Sequence, residues 1–162
     1  MSSWCIIFLD IDGVLNKVDG LRDRDLVSRF DRNSVYNLNI LIDGIINRGL
    51  KPGIVLSSSW RIKKVAPGQF TNYSLQYLRK LFSEYNFSRY IIDTTPIFSY
   101  LRDNASLRRQ LEISSWTLNE LKIRNISKVI ILDDISMKEL EHQHVKCSLF
   151  GEKELERALS LL

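Results

Sequence analysis

The chain has 162 residues, of which 44% are hydrophobic and 26% charged, a size and balance that fit one soluble globular domain with a sizeable core. The net charge of +4 suits a phosphate-bearing partner but is far from the composition of a basic tail. Two cysteines without Cys-x-x-Cys spacing exclude a disulfide framework and a zinc site, and we expect both to be reduced. Because the first apolar run is too short for a signal sequence or a membrane span, we expect a cytoplasmic protein with a single domain over residues 1–162.

The first predicted strand is a continuous apolar run, Trp4–Leu9, typical of parallel strands that are buried on both faces. Asp10, Asp12 and the turn residue Gly13 follow it. Residues i and i+2 of extended backbone point the same way, so both carboxylates can face a site beyond the strand's carboxyl end, where open α/β sheets bind ligands. Such a pair suits a hard cation such as Mg²⁺. The alternative is that Asp12 and Gly13 only form a turn.

Further along the chain, predicted helices and strands alternate. In order they are a charged flap over residues 15–33, a helix capped by Asn33 and Ser34 and closed by Gly49, a strand at Ile54–Leu56, a basic loop at 61–71, a helix at Ser74–Tyr85, a strand at Tyr90–Ile92, a helix from Leu107 to Leu121, a strand at Lys128–Leu132, a short helix at Met137–Glu141, a strand at Val145–Phe150 and a helix from Glu152. Strand–helix–strand units imply right-handed crossovers between parallel neighbours. The pattern predicts a doubly wound, Rossmann-like α/β sheet of about five parallel strands flanked by helices.

Three of these strands end in polar groups that a phosphate and a cation would use. The groups are the Asp10 and Asp12 pair, the run Ser57-Ser58-Ser59, and the pair Asp133-Asp134. Because the carboxyl ends of parallel strands lie at the same edge of a sheet, we expect these groups to converge on one crevice.

Four segments together share the pattern of a known family. They are Asp-x-Asp-Gly-Val-Leu-Asn from Asp10, Val-Leu-Ser-Ser-Ser-Trp-Arg from Val55, Arg-x-x-Glu-Ile-x-x-Trp from Arg109, and Ile-Leu-Asp-Asp from Ile131. This set resembles the haloacid dehalogenase (HAD) superfamily of phosphohydrolases. The second and third segments resemble the small HAD phosphatase domain of Swiss army knife RNA-repair proteins, and the resemblance runs from about Cys5 to the last helix.

The resemblance implies a covalent mechanism. Asp10 would be the nucleophile that forms an aspartyl-phosphate, and Asp12 would act first as general acid and then as general base. Mg²⁺ would be held by the Asp10 carboxylate, the backbone carbonyl of Asp12 and Asp133, with Asp134 supporting the metal shell through water or hydrogen bonds.

The resemblance also implies two groups that bind the phosphate. Ser57 would donate its hydroxyl, together with the following backbone N–H groups; Ser58 is the alternative, and we favour Ser57 because it directly follows the apolar run. Arg109 would supply the positive charge. Arg108 and Arg109 lie early in their predicted helix, where positive charge opposes the helix dipole, and a local rule broken in this way often marks a site.

Trp60 and Arg61 follow the serines at the mouth of the crevice. They could stack on a base or pair with a phosphate, and the equally weighted alternative is a packed tryptophan and a solvated arginine. Arg61, Lys63 and Lys64 form a basic cluster, which is either a solvated loop or the best candidate for a nucleic-acid contact.

The intervals between the motifs are too short for a large inserted cap domain, so we expect an open site that accepts a phosphate on a large molecule. The sequence therefore predicts a Mg²⁺-dependent phosphomonoester hydrolase acting on an RNA or DNA end or on a nucleotide. The alternatives are a non-catalytic module that binds phosphate or RNA ends, and a phosphatase of small metabolites or phosphoproteins. Neither a membrane partner nor a particular oligomeric state is indicated.

Overall fold

The computed structural model describes residues 2–17, 30–99 and 103–162. Most of the predicted flap at 15–33 lies outside these residues. The elements, in chain order, are β1 (Trp4–Leu9), α1 (Arg32–Asn47), β2 (Lys51–Leu56), β3 (Ile62–Ala66), β4 (Gln69–Asn72), α2 (Leu75–Leu81), β5 (Ile91–Thr94), α3 (Ala105–Glu120), β6 (Ile126–Asp133), β7 (His144–Lys146) and α4 (Glu152–Ser160). No helix among these residues is both long and apolar enough to cross a bilayer.

Five of the strands form one parallel sheet in the order β5-β2-β1-β6-β7, with β1 at its centre. Helices α1, α2 and α4 cover one face and α3 covers the other, which confirms the predicted doubly wound α/β fold. The described residues contain no inserted cap domain.

The alternation of side chains along β1 explains why this strand is apolar throughout. Cys5, Ile7 and Leu9 pack beneath the three helices of one face, whereas Ile6 and Phe8 pack beneath α3. All five are fully buried. Burial of both faces demands a continuous apolar run, because neither face of the strand contacts water.

The basic loop predicted at 61–71 is instead a β-hairpin. After a 3₁₀ turn at Ser59–Arg61, β3 and β4 pair in antiparallel fashion and form a separate two-stranded sheet. Gly68 closes the hairpin with φ +72°, a conformation that favours glycine. The prediction was wrong because the lysines, which lie on both faces of the hairpin, conceal the alternation expected of a strand.

Three smaller boundaries also differ from the predictions. The cap of α1 is Asp31, whose carboxylate accepts a hydrogen bond from the Ser34 N–H at 2.8 Å, so Asn33 and Ser34 lie within the helix. The predicted short helix at Met137–Glu141 is a series of turns, and the last strand is confined to His144–Lys146. The apolar residues after Lys146 pack as a loop. In so short a run, the alternation of apolar and polar residues does not distinguish a loop from a strand.

Candidate active site

The register of the sheet brings three strand ends side by side. Leu9 lies opposite Leu56 on one side and Leu132 on the other. The Asp10 N–H donates to the Leu132 carbonyl at 3.0 Å, and the Ser57 N–H donates to the Leu9 carbonyl at 3.1 Å. Residues that follow β1, β2 and β6 therefore leave the sheet at one edge, as the sequence predicts.

Three carboxylates converge at this edge. Asp10, Asp133 and Asp134 each contribute one oxygen to a group whose members lie within 4.8 Å of one another. Asp133 is fully buried, Asp10 is 5% exposed and Asp134 is half-buried. The Asp12 side chain is not in this group.

Among the described residues, one guanidinium faces the carboxylates. Arg109 Nη1 lies 2.8 Å from Asp133 Oδ2 and 3.6 Å from Asp10 Oδ1. Within the described ranges, three ionised carboxylates against this arginine would leave two negative charges in a largely buried site, and a divalent cation would neutralise them. An all-oxygen donor set of this kind fits a hard cation such as Mg²⁺.

The pKa shifts of the site agree with this excess of negative charge. Burial raises the pKa of Asp10, although Arg109 and the Ile11 N–H oppose the shift. Burial raises the pKa of Asp133 to about 7, again against Arg109 and with the Asp10 charge adding to the increase. For Arg109, burial favours the neutral form, but the charges of Asp133 and Asp10 outweigh it and raise the pKa. The two acids therefore hold a proton more tightly than ordinary carboxyl groups do, because one arginine does not offset their burial. The arginine keeps its positive charge.

The turn after Asp12 requires glycine for two reasons. Gly13 has φ +79°, and a Cβ atom placed on it would lie 2.8 Å from both Cβ and Oδ2 of Asp134. Any other residue would strain the turn and displace Asp134 from the carboxylate group.

Asp12 is held by an aromatic side chain rather than by the carboxylate group. The Trp60 Nε1–H donates to Asp12 Oδ1 at 3.1 Å. The indole packs against Phe30 and Phe82, with ring centroids 5.8 and 6.1 Å away. This geometry gives Trp60 a role in positioning Asp12, and the stacking of a substrate base on Trp60 stays a prediction.

Arg61 is 1% exposed, so it is not the solvated arginine considered above. A guanidinium carries five N–H donors, and all five are used. Their acceptors are the carbonyl oxygens of Thr95, Ser57, Ser58 and Pro96 and the Glu112 carboxylate, at 2.8–3.1 Å. Because no donor remains for a substrate phosphate, the geometry assigns Arg61 to joining the loops after β2 and β5 to helix α3.

The two candidate serines differ in their partners. The Ser57 hydroxyl is buried and has no hydrogen-bond partner among the described residues. The Ser58 hydroxyl accepts a hydrogen bond from the Trp60 N–H at 3.3 Å and lowers the pKa of Asp10. An unpartnered buried hydroxyl is unusual, and a ligand oxygen would satisfy it. Ser57 therefore stays the predicted phosphate donor, with its unpartnered hydroxyl as the observation that supports it.

Sequence reasoning assigned no role to Glu112. Its two carboxylate oxygens accept hydrogen bonds from Arg61 Nη2 at 2.8 Å and from the Phe98 N–H at 3.0 Å. Glu112 lies one helical turn after Arg109 on the buried face of α3. Its position one turn after Arg109 was a signal that Glu112 lies on the same face of the helix, but its partner Arg61 could be found only in the structure.

An open cleft of about 490 Å³ adjoins Arg109, and we name it the side cleft. Its lining includes Ile62, Lys64 and Phe70 from the β3–β4 hairpin, Ile97 after β5, and Arg108 and Arg109 from α3. Of these, the sequence singled out only Lys64, Arg108 and Arg109.

Comparison with known proteins identifies a family. The model of the family described as the HAD domain in Swiss Army Knife RNA repair proteins matches residues 6–151. No curated protein and no solved structure is significantly similar to the chain.

Proposed function

Because the chain belongs to the family of HAD domains found in Swiss Army Knife RNA repair proteins, we propose that it is a Mg²⁺-dependent phosphomonoester hydrolase acting on a nucleic-acid end or a nucleotide phosphate. The observation that carries the proposal is the group of Asp10, Asp133 and Asp134, whose oxygens lie within 4.8 Å of one another, with Arg109 paired to the first two. A phosphatase of the type suggested by the family needs such a site.

The residues present fit the metal that this chemistry requires. Asp10, Asp133 and Asp134 would hold Mg²⁺ with help from the Asp12 backbone carbonyl. When bound, the ion would neutralise charge between the nucleophile and the phosphoryl oxygens.

The chain's own side chains perform the chemical steps. An Asp10 carboxylate oxygen attacks phosphorus, the bond to the leaving oxygen breaks, and Asp12 gives that oxygen its proton. In the second step Asp12 takes a proton from water, the water oxygen attacks phosphorus, and the bond to Asp10 breaks to release phosphate. The Ser57 hydroxyl and the Arg109 guanidinium stabilise the charge that develops on the phosphoryl oxygens.

The first experiment measures release of p-nitrophenol from p-nitrophenyl phosphate with Mg²⁺. We expect turnover by the wild-type chain and none by Asp10→Asn, whose fold is checked by circular dichroism. Normal activity in a folded Asp10→Asn variant would refute the mechanism. If the wild-type chain released phosphate from no small phosphomonoester and no oligonucleotide, the protein would be a binding module instead.

A nucleic-acid substrate is supported by three independent features. The family is described from RNA repair proteins, the net charge is +4, and no inserted domain covers the site in the described ranges. We expect phosphorylated oligonucleotides to be hydrolysed with a higher kcat/KM than sugar phosphates or phosphopeptides. A strong preference for a sugar phosphate would refute this part of the proposal.

A further inference from the structure

The side cleft combines an aromatic surface with positive charge. Phe70 is 42% exposed, although a phenylalanine on a small hairpin gains most when it is buried. Ile62 and Ile97 lie in the same lining and are half-buried. A volume of about 490 Å³ is within the range of sites that bind small molecules or a single group of a larger ligand.

The pairing of the hairpin determines which side chains face the cleft. Lys64 lies directly opposite Phe70, and Lys63 lies opposite Thr71. Directly opposed residues share a face of a β-hairpin and successive pairs alternate, so Lys64 and Phe70 point to one side and Lys63 to the other. Of these four residues, Lys64 and Phe70 are in the lining of the cleft, and Lys63 and Thr71 are not. The hairpin thus presents one lysine and one aromatic ring together.

Two cations in this lining have no acidic partner. Arg61 is paired with Glu112, and Arg109 is paired with Asp133. Lys64 and Arg108 form no ion pair with any described residue. Arg108 lines the cleft together with Arg109, the group that would bind the scissile phosphate.

We infer that the side cleft binds the nucleotide adjacent to the scissile phosphate of a single-stranded nucleic-acid end. The base of that nucleotide packs on Phe70, and its backbone phosphate contacts Lys64 and Arg108. This inference rests on the proposed phosphatase function and names its substrate more closely: a strand of at least two nucleotides rather than a free mononucleotide. An aromatic platform beside unpaired cations is the usual way to bind single strands without regard to sequence.

The first test compares kcat/KM for three substrate types in wild-type and variant chains. The substrates are p-nitrophenyl phosphate, mononucleotides, and tetranucleotides phosphorylated at the 3′ or the 5′ end. We expect Phe70→Ala and Lys64→Ala each to lower the ratio of tetranucleotide to p-nitrophenyl phosphate turnover by about tenfold. Lys63→Ala removes the same charge from the opposite face of the hairpin, and the ratio should change less than about twofold.

Salt dependence distinguishes a phosphate contact from a general loss of charge. For Lys64→Ala, the plot of log kcat/KM for the tetranucleotide against log salt concentration should be shallower by about 0.7. For Lys63→Ala, the slope should match that of the wild-type chain. Equal slopes in all three proteins would overturn the assignment of Lys64.

A binding experiment keeps the inference testable even if no hydrolysis occurs. Fluorescence anisotropy of labelled, phosphorylated tetranucleotides is measured with the Asp10→Asn chain and with the same chain carrying Phe70→Ala or Lys63→Ala. Weaker binding on loss of Phe70 alone would support the side cleft whether or not the wild-type chain is a phosphatase. Equal binding of the tetranucleotides by all three chains would overturn the inference, and so would tighter binding of a labelled mononucleotide or phosphopeptide to the Asp10→Asn chain. Turnover of p-nitrophenyl phosphate by the wild-type chain tests the phosphatase function separately.

Discussion

Two buried arginines flank the candidate site, and they are paired in different ways. Arg61 is 1% exposed and donates to four backbone carbonyls and one carboxylate. Arg109 is 7% exposed, and the ion pairs it forms with described residues are to the carboxylates of Asp133 and Asp10. Each is a cation in a nearly dry environment, where an unpaired charge would be strongly unfavourable.

The difference indicates which arginine serves the chemistry. Backbone carbonyls are fixed dipoles whose charge does not change during a reaction, so Arg61 joins loops together. The carboxylates beside Arg109 have raised pKa values and are the groups that would hold a metal and a phosphoryl group. Under the proposed mechanism, Arg109 would therefore balance a charge that changes during turnover. The predictions below test this division of roles.

The largest expected effect follows the loss of Arg109. Arg109→Ala should lower kcat for p-nitrophenyl phosphate by about 10²–10³, because a charged donor to the phosphoryl oxygens is removed. Arg109→Lys keeps the charge but loses the planar fork, so we expect a smaller decrease. Steady-state kinetics on folded protein provides the measurement. Equal activity in Arg109→Ala and the wild-type chain would exclude Arg109 from the site.

Replacement of Arg61 should act mainly on stability. Arg61→Lys leaves several buried carbonyls without donors, and we expect the free energy of unfolding in urea to fall by about 3 kcal/mol. The matched control is Arg124→Lys, which alters a partly exposed pair with Glu120 and should change stability by less than about 0.5 kcal/mol.

Kinetics of the same variant can contradict the role given to Arg61. Folded Arg61→Lys should keep a KM for p-nitrophenyl phosphate close to that of the wild-type chain. A large increase in KM together with wild-type stability would mean that Arg61 contacts the substrate.

The acids should make metal binding and stability depend on pH. Burial raises the pKa of Asp133 from 3.8 to about 7, so the folded chain binds this proton more tightly than the unfolded chain does. In the metal-free chain the resulting stabilisation is complete below the unfolded pKa, and it is lost as pH rises through the folded pKa. Metal binding needs the ionised carboxylates.

Thermal unfolding with and without Mg²⁺ checks this dependence. We expect the increase in Tm on adding saturating Mg²⁺ to be larger at about pH 8 than at about pH 5. Asp133→Asn should abolish most of that increase at both pH values. An equal increase in the variant and the wild-type chain would place the metal elsewhere.

The residues at the strand ends were predictable from the sequence, but their partners were not. A buried parallel strand needs an apolar run. The end of that run shows where the chain reaches the edge of the sheet at which ligands bind. Asp10, Ser57 and Asp133 could be identified for this reason. Arg61 could not be recognised as buried, because its carboxylate partner Glu112 lies 51 positions away and only the packing of α3 brings it near. The face of the hairpin on which Lys64 lies likewise depends on the pairing of β3 with β4. The lysines in the sequence conceal that pairing.

The smallest expected effect concerns Trp60, which donates to Asp12 at 3.1 Å. Trp60→Phe keeps most of the packing against Phe30 but removes the N–H, so Asp12 should protonate the leaving oxygen less effectively. An alkyl phosphate needs that proton, whereas p-nitrophenolate leaves without it. We therefore expect kcat for an alkyl phosphate to fall by about tenfold and kcat for p-nitrophenyl phosphate to fall much less, with KM unchanged for both.

Trp116→Phe is the matched control for that variant. Trp116 also donates its indole N–H to an aspartate, Asp93, at 2.8 Å, but it does so at the other end of α3 from Arg109. Its loss should reduce stability without changing the ratio between the two substrates. If Trp60→Phe and Trp116→Phe altered that ratio equally, the bond from Trp60 to Asp12 would be structural only, and the general acid would have to be positioned by another group.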